Sequence, residues 1–407
     1  MTLASKFKVF TSPSTVNFSK RNIDDFACTC GALACFFTPL STSFMALFSV
    51  LAIVGWLAAG RFRAALTVVR SHLFITVALV LFGVMIVSIL YSAAPASEAL
   101  STLKKYRELL LLPIFASLWM GRRRYGVLAE NFFVAGCIVL LVISYAMAAG
   151  ILPLERYGDS IVFHITHSFF MAVLGFWALH RFFEGGRFTY FWLAAAAGAV
   201  VNLFFLAPGR TGMLVFFLLM VLLLVQRCSA RVVAGGLIGL ALAGVTLYTV
   251  SDNFSKRLNQ VVAEIEMHEP GGSKTSIGQR FDWWLVSVDL IAERPLFGHG
   301  IGSFETVQGE KIEGTDITPT DNPHNEYLFI TTQLGLLGGL LFAALITTQL
   351  WCARSLTPAK RRLMEGVVVA FFSGCLMNSF LFDSLQGHFW LFLSAALLSS
   401  GDKLRSE

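Results

Sequence analysis

The chain has 407 residues, of which 56% are hydrophobic and only 14% are charged, and its mean hydropathy is +0.70. This composition excludes an ordinary soluble globular protein. The formal net charge of +6 comes largely from Lys and Arg in short connections between apolar runs. We therefore interpret the charge as a sign of membrane topology and not of nucleic-acid binding.

The apolar residues fall into runs near the ~20 residues that an α-helix needs to cross a bilayer. We predict an all-α polytopic membrane protein with about 12 transmembrane helices, because unpaired backbone groups cannot face lipid. The first two runs and the last are short or closely coupled, so eleven spans remain an alternative. The runs are 26–40, 41–60, 72–92, 106–120, 131–150, 162–182, 190–207, 211–225, 232–250, 325–350, 366–382 and 388–400.

Basic residues indicate the orientation, since cytoplasmic loops of membrane proteins are enriched in Lys and Arg. Short connections such as Arg122-Arg123-Arg124 and Lys360-Arg361-Arg362 make this bias plain. We predict both chain ends in the cytoplasm and one large polar loop outside. The predicted parts are a cytoplasmic tail at 1–25, transmembrane helices 1–9 at 26–250, an outer loop with two helices at 251–323, transmembrane helices 10–12 at 324–400, and a cytoplasmic tail at 401–407.

The large outer loop carries two helical patterns. Apolar residues recur at helical spacing over 253–268 and again from Gly278 to Arg294. Arg280 lies in the first turn of the second helix, where the dipole disfavours a cation, so we expect its charge to have another partner. Within 251–323, Asp and Glu outnumber Lys and Arg by 12 to 6. An anion here needs a local group of arginines, because the overall field of the loop is negative.

The stretch from Asp321 to Gly338 leads the outer loop back into an apolar run. We predict Asn322 as the cap and Pro323 as the first residue of a helix. His324 then lies in the first turn, where the positive end of the dipole keeps its imidazole neutral and able to accept a proton. The alternative is a polar residue that marks the membrane–water boundary, since a catalytic base needs partners.

Arg210 lies in a short outer turn between two apolar runs. An isolated cation there is costly unless something anionic meets it. Gly209 and Gly212 on either side are predicted to leave room for a bulky ligand to approach the backbone. Arg210 is thus a candidate ligand-binding residue.

Lys104, Lys105 and Arg107 precede the fourth run on the outer side. Lys104 and Arg107 are three residues apart, so on one helix they share a face, at the end where the dipole also favours an anion. Interfacial anchoring by snorkelling side chains is an equally weighted alternative.

Metal binding is not indicated. The seven cysteines all fall in or beside apolar runs, with none in 251–323, and they show no zinc-ligand spacing. His164 and His167 are three residues apart, but no carboxylate or cysteine pattern completes a site. His167 is interpreted instead as a polar contact to a sugar.

The candidate residues suit one kind of chemistry. Arginine forks bind diphosphate oxygens in bidentate geometry, and a neutral histidine removes a proton from a hydroxyl. In a membrane, these groups indicate glycosyl transfer from a polyprenyl diphosphate sugar. His324 is then the general base, and Arg210 and Arg280 take up the charge that grows on the leaving group.

Three sequence patterns carry a resemblance. His324-Asn325, nine residues and Gly335-Leu336-Leu337-Gly338 match a pattern of His, then Asn, Ser or Gln, nine residues and Gly-x-x-Gly. Arg210 to Leu214 matches Arg-x-x-x-Leu, and Arg280–Phe304 is similar to a pattern of Arg, Trp, Pro and Gly. In these residues the chain resembles the bacterial O-antigen ligases, within the wider O-antigen ligase and polymerase superfamily.

The resemblance implies a fold like that of C-type glycosyltransferases, in the bacterial inner membrane, with the large loop and the active site in the periplasm. It implies a ligase that moves an undecaprenyl-diphosphate-linked O-antigen glycan onto a sugar hydroxyl of lipid A–core, without a metal ion or cofactor. Asp383 is similar to an acidic residue of the family's last outer turn. Asn325 and Tyr327 are interpreted either as sugar contacts or as residues that hold the contacting groups in place.

Three alternatives stay open. An O-antigen polymerase and a protein O-oligosaccharyltransferase share the undecaprenyl donor, and the sequence separates them poorly from a ligase, although the complete His motif favours the ligase. A lipid-linked sugar transporter is less favoured, because the runs show no related halves and are almost free of charge.

Overall fold

The computed structural model describes residues 20–154, 158–268 and 271–399, and within these ranges it contains seventeen α-helices and no β-strand. In chain order they are α1 (Lys20–Phe37), α2 (Thr42–Ala58), α3 (Phe62–Ser71), α4 (Leu73–Ser88), α5 (Ala96–Lys105), α6 (Arg107–Trp119), α7 (Arg123–Ala148), α8 (His164–Glu184), α9 (Thr189–Val201), α10 (Arg210–Arg227), α11 (Ala230–Val250), α12 (Asp252–Glu266), α13 (Ser276–Glu293), α14 (Phe304–Lys311), α15 (Glu326–Ala353), α16 (Pro358–Gly374) and α17 (Ser384–Leu398). A 3₁₀ turn (Ile89–Tyr91) continues α4, and a π-helical turn (Asn202–Leu206) continues α9.

Six of the described helices are long and apolar enough to cross a membrane: α4, α7, α9, α10, α11 and α15, with α4 and α9 counted together with their extra turns. Helices α2 and α3 pass the same test only as a pair, and they are bent by 105° relative to each other. The architecture is therefore all-helical and multi-pass, as predicted, but the number of twelve spans is not confirmed. Helices α6 and α17 have only 13 and 15 residues, which is short for a span.

Aromatic side chains fill the centre of the bundle. Phe169 and Phe170 of α8 and Phe389 and Trp390 of α17 are fully buried, and the rings of Phe169 and Phe389 lie 5.1 Å apart. Edge-to-face contacts of this kind add stability beyond the buried area. Both helices thus contribute aromatic side chains to the main buried core of the bundle.

Ion pairs collect at one end of the bundle, which we call the basic end. Asp24 of α1 binds Arg122 at 2.7 Å. Glu130 of α7 is 1% exposed and pairs with Arg181 of α8 at 2.6 Å and with Lys360 of α16. The short loops that contain the predicted cytoplasmic clusters of basic residues therefore lie at the same end of the bundle. Their position on the cytoplasmic side of a membrane stays a prediction.

The opposite end, called the loop end, carries residues 251–323. Helices α12 and α13 lie where the two helical patterns are, and α14 is a further short helix that the sequence pattern did not indicate. Ser251, the N-cap of α12, donates a hydrogen bond to the carbonyl of Phe204, which ties this segment to the π-helical turn. Segment 251–323 therefore lies against the bundle.

The chain between α16 and α17 departs from the predicted helix over 366–382. Helix α16 ends at Gly374, and residues 375–383 form a loop at the loop end. Glu326 is fully buried and accepts hydrogen bonds from the backbone of Leu381 at 2.9 Å and from the hydroxyl of Tyr106 at 2.9 Å. The start of α15 thereby fixes the 375–383 loop.

Helix α15 is broken at Gly335, which has φ 65° and ψ −166°. The N–H of Leu336 is bonded to the carbonyl of Pro295, and the N–H of Gly300 to that of Gln333. A Cβ on Gly335 would lie 2.3 Å from the backbone of Leu296. The first glycine of the Gly-x-x-Gly pattern thus opens the helix to residues 295–300, since only glycine adopts this backbone without strain.

The two predicted tails lie mostly outside the described residues, which begin at residue 20 and end at residue 399. Residues 20–25, which the sequence placed in the first tail, belong to α1. Their position on the cytoplasmic side of a membrane stays a prediction.

Candidate active site

His324 lies just before α15 and not in its first turn. The helix begins at Glu326, and Asn325 is its N-cap, whose side-chain oxygen accepts from the first free N–H groups of the helix. The prediction that Asn322 caps a helix beginning at Pro323 is therefore wrong. Asn322 instead accepts a hydrogen bond from the backbone N–H of His324 at 2.8 Å, which holds a tight turn.

The turn presents the imidazole of His324 while its ring nitrogens make no hydrogen bond to the described part of the protein. Among the described residues, His324 is the one non-glycine residue with a positive φ, 54°. This conformation is strained in residues other than glycine and is found at functional sites. Its ring packs against Trp283, with centroids 5.5 Å apart. In the described part of the chain neither ring nitrogen has a hydrogen-bond partner. The ring is thus held by packing, and its nitrogens are free for a ligand.

The surroundings keep this imidazole neutral. Burial and, to a smaller extent, the guanidinium of Arg280 lower the pKa of His324 to about 4, although Asp321 opposes both effects. The ring is therefore neutral at pH 7, as the sequence hypothesis requires. The cause differs from the predicted one, because burial and Arg280 take the place of a helix dipole.

A cavity of about 150 Å³ lies where the N-termini of three helices meet. Helix α8 begins at His164, α10 at Arg210 and α13 at Ser276, and all three residues line the cavity. No side chain in the described structure caps the first turn of α8 or α10. Free N–H groups and positive dipole ends favour an anion in this position.

The cavity wall has an excess of positive charge. Arg210, Arg257 and Arg280 line it. Among the described residues one carboxylate reaches this group: Glu264 of α12 binds Arg210 at 2.9 Å and accepts from the backbone N–H of Ile277 at 2.8 Å. Burial raises the pKa of Glu264, but these two hydrogen bonds, together with the charges of Arg210 and Arg280, outweigh it and hold the pKa below its usual value. Glu264 therefore offsets part of this positive charge and leaves a net excess for an anion.

Arg280 joins the cavity to the histidine. Burial lowers the pKa of its guanidinium, as does nearby Arg210, while Glu264 opposes them. A desolvated cation beside another cation is costly, so an anion in the cavity stabilises both. Arg280 also lies close enough to His324 to influence its pKa. His324 itself is beside the cavity and not in its wall.

Three consecutive residues of the 375–383 loop brace these groups. The carbonyl of Met377 accepts from Arg280 Nη1 at 3.0 Å. The amide of Asn378 donates to Thr211, next to Arg210, at 2.9 Å, and the hydroxyl of Ser379 donates to the side chain of Asn322 at 2.7 Å. One short loop thus positions Arg280, the start of α10 and the turn that holds His324.

The glycines beside Arg210 serve helix packing. A Cβ on Gly209 would lie 2.1 Å from the hydroxyl of Ser168, and one on Gly212 would lie 2.4 Å from its backbone. The prediction that these glycines leave room for a ligand is therefore wrong for Gly212, which does not line the cavity, whereas the backbone of Gly209 does lie in the cavity wall. They let α10 approach α8, which brings two helix N-termini to one cavity.

Lys105 and Asp383 belong to a second region of the loop end. Lys105 lines a cavity of about 140 Å³ together with Asp321 and Gln333, and its ammonium lies 3.7 Å from the centroid of the Phe382 ring. Burial raises the pKa of Asp383 to about 6, and Lys105 opposes this shift. This second cavity reaches Asp321, three residues before His324.

Lys104 and Arg107 do not share one helix face, contrary to the prediction. Helix α5 ends at Lys105 and α6 begins at Arg107, with Tyr106 outside helical geometry between them. Both Lys104 and Arg107 are exposed, and Arg107 donates to Ser384 at 3.0 Å. The structure brings neither to the arginine-lined cavity.

Three predicted substrate contacts are used inside the protein. His167 is fully buried, and its ring nitrogens bond the side chains of Ser160 at 2.8 Å and Asn202 at 2.7 Å. Tyr327 donates its hydroxyl to a backbone carbonyl of α16 at 3.0 Å, and Asn325 caps α15. The sugar-contact interpretation of His167 is therefore wrong, and the polar groups of the other two are occupied.

Sequence reasoning missed several residues of the site. His164 lies at a predicted helix start, and Arg257 and Glu264 lie on a predicted amphipathic helix, but no local sequence signal links them to Arg210. Trp283 lies within the second helical pattern, but it was not singled out, because it falls outside the apolar stripe of that helix. The segment 377–379 had one weak signal, a polar Asn-Ser pair within an apolar run.

Within the described ranges, no group of three or more His, Cys, Asp or Glu is placed to hold a metal ion. His164 lies at the arginine-lined cavity, whereas His167 is buried with other partners, so the two do not form half of a metal site. A reaction without metal or cofactor stays a prediction.

Comparison with known proteins finds a family model that matches part of the chain. Residues 193–343 match the family model described as O-Antigen ligase, a range that contains Arg210, Arg280, His324 and Gly335. An uncharacterized protein of Haemophilus influenzae is 29% identical to this chain over 122 residues, which is 28% of the chain. The match spans only 31% of the length of that relative.

Proposed function

We propose that this chain, which carries a domain of the O-antigen ligase family over residues 193–343, is an O-antigen ligase. It transfers a glycan from undecaprenyl diphosphate to a sugar hydroxyl of lipid A–core at the periplasmic face of a bacterial inner membrane. The observation that carries the proposal is the cavity at three helix N-termini, with Arg210 and Arg280 in its wall. It suits a diphosphate held beside a neutral histidine.

The cavity acts on the leaving group. As the bond between the anomeric carbon and the phosphate oxygen breaks, its electron pair stays on the diphosphate. Arg210 and Arg280 stabilise the growing charge with forked hydrogen bonds, and the N-termini of α8 and α10 add backbone donors. These donors are already in place, so little reorganisation is needed during the reaction.

His324 acts on the acceptor. The acceptor oxygen forms the new bond to the anomeric carbon, and its proton passes to the free ring nitrogen of His324. A pKa of about 4 makes the ring a weak base in the empty site. The negative diphosphate raises that pKa by offsetting Arg280, and the hydroxyl becomes more acidic as its bond forms. Both changes bring the pKa of the sugar hydroxyl, which gives up the proton, closer to the pKa of His324, which takes it.

The second cavity suits the acceptor. Its wall combines the hydroxyls of Ser101 and Thr102 and the carboxylate of Asp321 with the ring of Phe329 and the ammonium of Lys105. Hydroxyl, carboxylate and ammonium groups hydrogen-bond sugar hydroxyls. Asp321 brings this wall close to His324 in the chain, which supports an acceptor sugar on this side and the diphosphate on the other.

The test uses the purified full chain in proteoliposomes with undecaprenyl-diphosphate glycan and three acceptors in parallel: lipid A–core, donor alone and a secreted protein. We expect glycan on lipid A–core, and Arg280→Ala should abolish it. Longer lipid-linked glycan from donor alone indicates a polymerase, and glycosylated protein indicates a protein O-oligosaccharyltransferase. Either of these results without lipid A–core product would refute the ligase.

A further inference from the structure

A groove of about 640 Å³ opens at the basic end between α10, α15 and α16. Its inner wall is apolar, with Leu222 and Val225 from α10, Leu350 from α15 and Val369 from α16. Val225 is 60% exposed, so this wall faces the surroundings of the bundle. Since α10 and α15 are long enough to span a membrane, those surroundings are acyl chains.

The rim of the groove is basic. Arg354, Arg361 and Arg362 line it, and one carboxylate, Glu365, lies among them. Glu365 is taken by Arg361 at 2.7 Å and by the amide of Gln226 at 2.7 Å. In the part of the chain that the structure describes, the guanidinium groups of Arg354 and Arg362 have no acceptor, and Nε of Arg362 is buried. Two cations thus lack a counter-charge.

The distances along the helices suit a phospholipid. Val369 lies seven residues beyond Arg362 on α16, which is about 10 Å along the helix axis. The cations therefore lie at the level of a headgroup, and the apolar wall extends below them to the depth of the upper acyl chain. Basic pockets between transmembrane helices bind anionic headgroups in this arrangement. A free phosphate would use the rim but not the apolar wall.

We propose that this groove binds an anionic phospholipid, with the headgroup phosphate between Arg354 and Arg362 and one acyl chain along Val225 and Val369. The site is at the end of the bundle opposite the arginine-lined cavity. It does not depend on the proposed glycan transfer.

The test is native mass spectrometry of the full-length protein released from detergent, with dioleoylphosphatidylglycerol added. Each basic residue near a lipid surface contributes about fivefold in affinity, so Arg354→Gln with Arg362→Gln should bind the lipid about 25-fold more weakly. Arg63→Gln removes an exposed arginine of α3 outside the groove, and it should bind like the wild type. Equal binding by the double variant would overturn the proposal.

Two further measurements distinguish an anionic phospholipid from a zwitterionic phospholipid and from a free phosphate. Dioleoylphosphatidylcholine should bind at least tenfold more weakly, and equal binding would show that the charge does not matter. Inorganic phosphate should not compete at millimolar concentration, and full competition would indicate a free-anion site in place of a lipid site. If the double variant fails to fold, Val225→Trp fills the groove from an exposed position, and unchanged lipid binding in it would refute the acyl-chain placement.

Discussion

At the scale of single residues, the turn at His324 is built to present a ring. A positive φ costs a non-glycine residue about 1–3 kcal/mol, and the surrounding contacts must offset that cost. The side chain of Asn322 accepts the backbone N–H of His324, and Ser379 fixes that side chain in turn. Trp284 donates to the carbonyl of Pro323 at 2.9 Å. All these contacts restrain the backbone and leave the imidazole nitrogens open.

Replacing His324 with Ala should lower the rate of glycan transfer at least hundredfold, because a positioned general base contributes about 10²–10⁴-fold. The variant should stay folded, since within the described structure the ring makes no hydrogen bond. Single-turnover transfer to lipid A–core measures the rate. His268→Ala changes a histidine of the same outer segment, outside the cavity, and should keep most of the activity. A transfer rate within tenfold of wild type for His324→Ala would argue against the base.

The acid limb of activity should differ between kcat/KM and kcat. The active form of His324 is neutral, so activity is lost as pH falls through its pKa. In the free enzyme that pKa is about 4, and kcat/KM should therefore stay level from pH 7 to about pH 5. The bound diphosphate raises the pKa, so the limb in kcat should lie at higher pH. Steady-state rates between pH 4 and 8 test this, and coincident limbs would contradict the proximity of His324 to the diphosphate.

Arg280→Lys should lower kcat/KM for the donor about hundredfold, although the charge is kept. The guanidinium donates to Met377 with one nitrogen and keeps its other donors for a diphosphate, which an ammonium cannot do. Arg257→Lys is the matched change on the same cavity wall. In the described structure Arg257 reaches only Gln260, at 3.5 Å, so its charge should suffice, and the variant should stay within about threefold. Similar losses of kcat/KM in both variants would show that the bidentate geometry of the Arg280 guanidinium is not required.

The sequence indicated which residue types matter at the site, but not how they are held. Asn322 and Asn325 are both good caps, and spacing alone does not choose between them. The choice depends on Glu326, whose carboxylate is buried against the 375–383 loop. That contact joins segments more than fifty residues apart, so no local pattern contains it. The roles of Met377, Asn378 and Ser379 were missed for the same reason.

At the scale of elements, the break in α15 explains why the motif needs its first glycine. Residues 295–300 hydrogen-bond to backbone groups that an unbroken helix would use internally. Gly298, with φ 66°, lies against the same break, where a Cβ would be 2.5 Å from the backbone of Gln333. Two glycines from distant segments thus let two backbones meet. Apolar periodicity runs through Gly335 unchanged, so the sequence indicates one continuous helix there.

Gly335→Ala should destabilise the protein, with a cost of about 1–3 kcal/mol from the backbone conformation alone. The added Cβ would also displace residues 295–300 and, through them, the approach of α13 to His324. Gly83→Ala in α4 is the control, because a Cβ there meets nothing within 4 Å and Ala favours a helix. Thermal unfolding in detergent should show a lower midpoint for Gly335→Ala only. Equal midpoints for the two variants would contradict the described break.

At the scale of the whole molecule, the basic connections and the arginine-lined cavity lie at opposite ends of the bundle. Hydropathy and the distribution of Lys and Arg predicted this separation, because both depend on composition and not on long-range contacts. The number of spans was less predictable. Short helices such as α6 and α17 are apolar because they are buried in the protein, and an apolar run alone does not distinguish that environment from lipid.

The separation of the two ends predicts that stability and catalysis respond to different carboxylates. Glu130 is buried between Arg181 and Lys360 at the basic end, and Glu264 binds Arg210 at the cavity. Glu130→Gln leaves two cations without their partner, which costs about 3–5 kcal/mol for a buried pair and should lower the thermal midpoint by several degrees. Transfer per folded molecule should stay within about twofold.

Glu264→Gln makes the same chemical change at the other end, with the opposite expectation. The amide frees Arg210 from its carboxylate, so the affinity of the cavity for the anionic donor should rise and the KM for the donor should fall. The thermal midpoint should change little, because Glu264 is partly exposed and a pair of this kind contributes modestly. Measuring donor KM and thermal midpoint on both variants separates the two roles. A Glu130→Gln variant that loses catalysis without losing stability would show that the basic end is coupled to the cavity across the bundle.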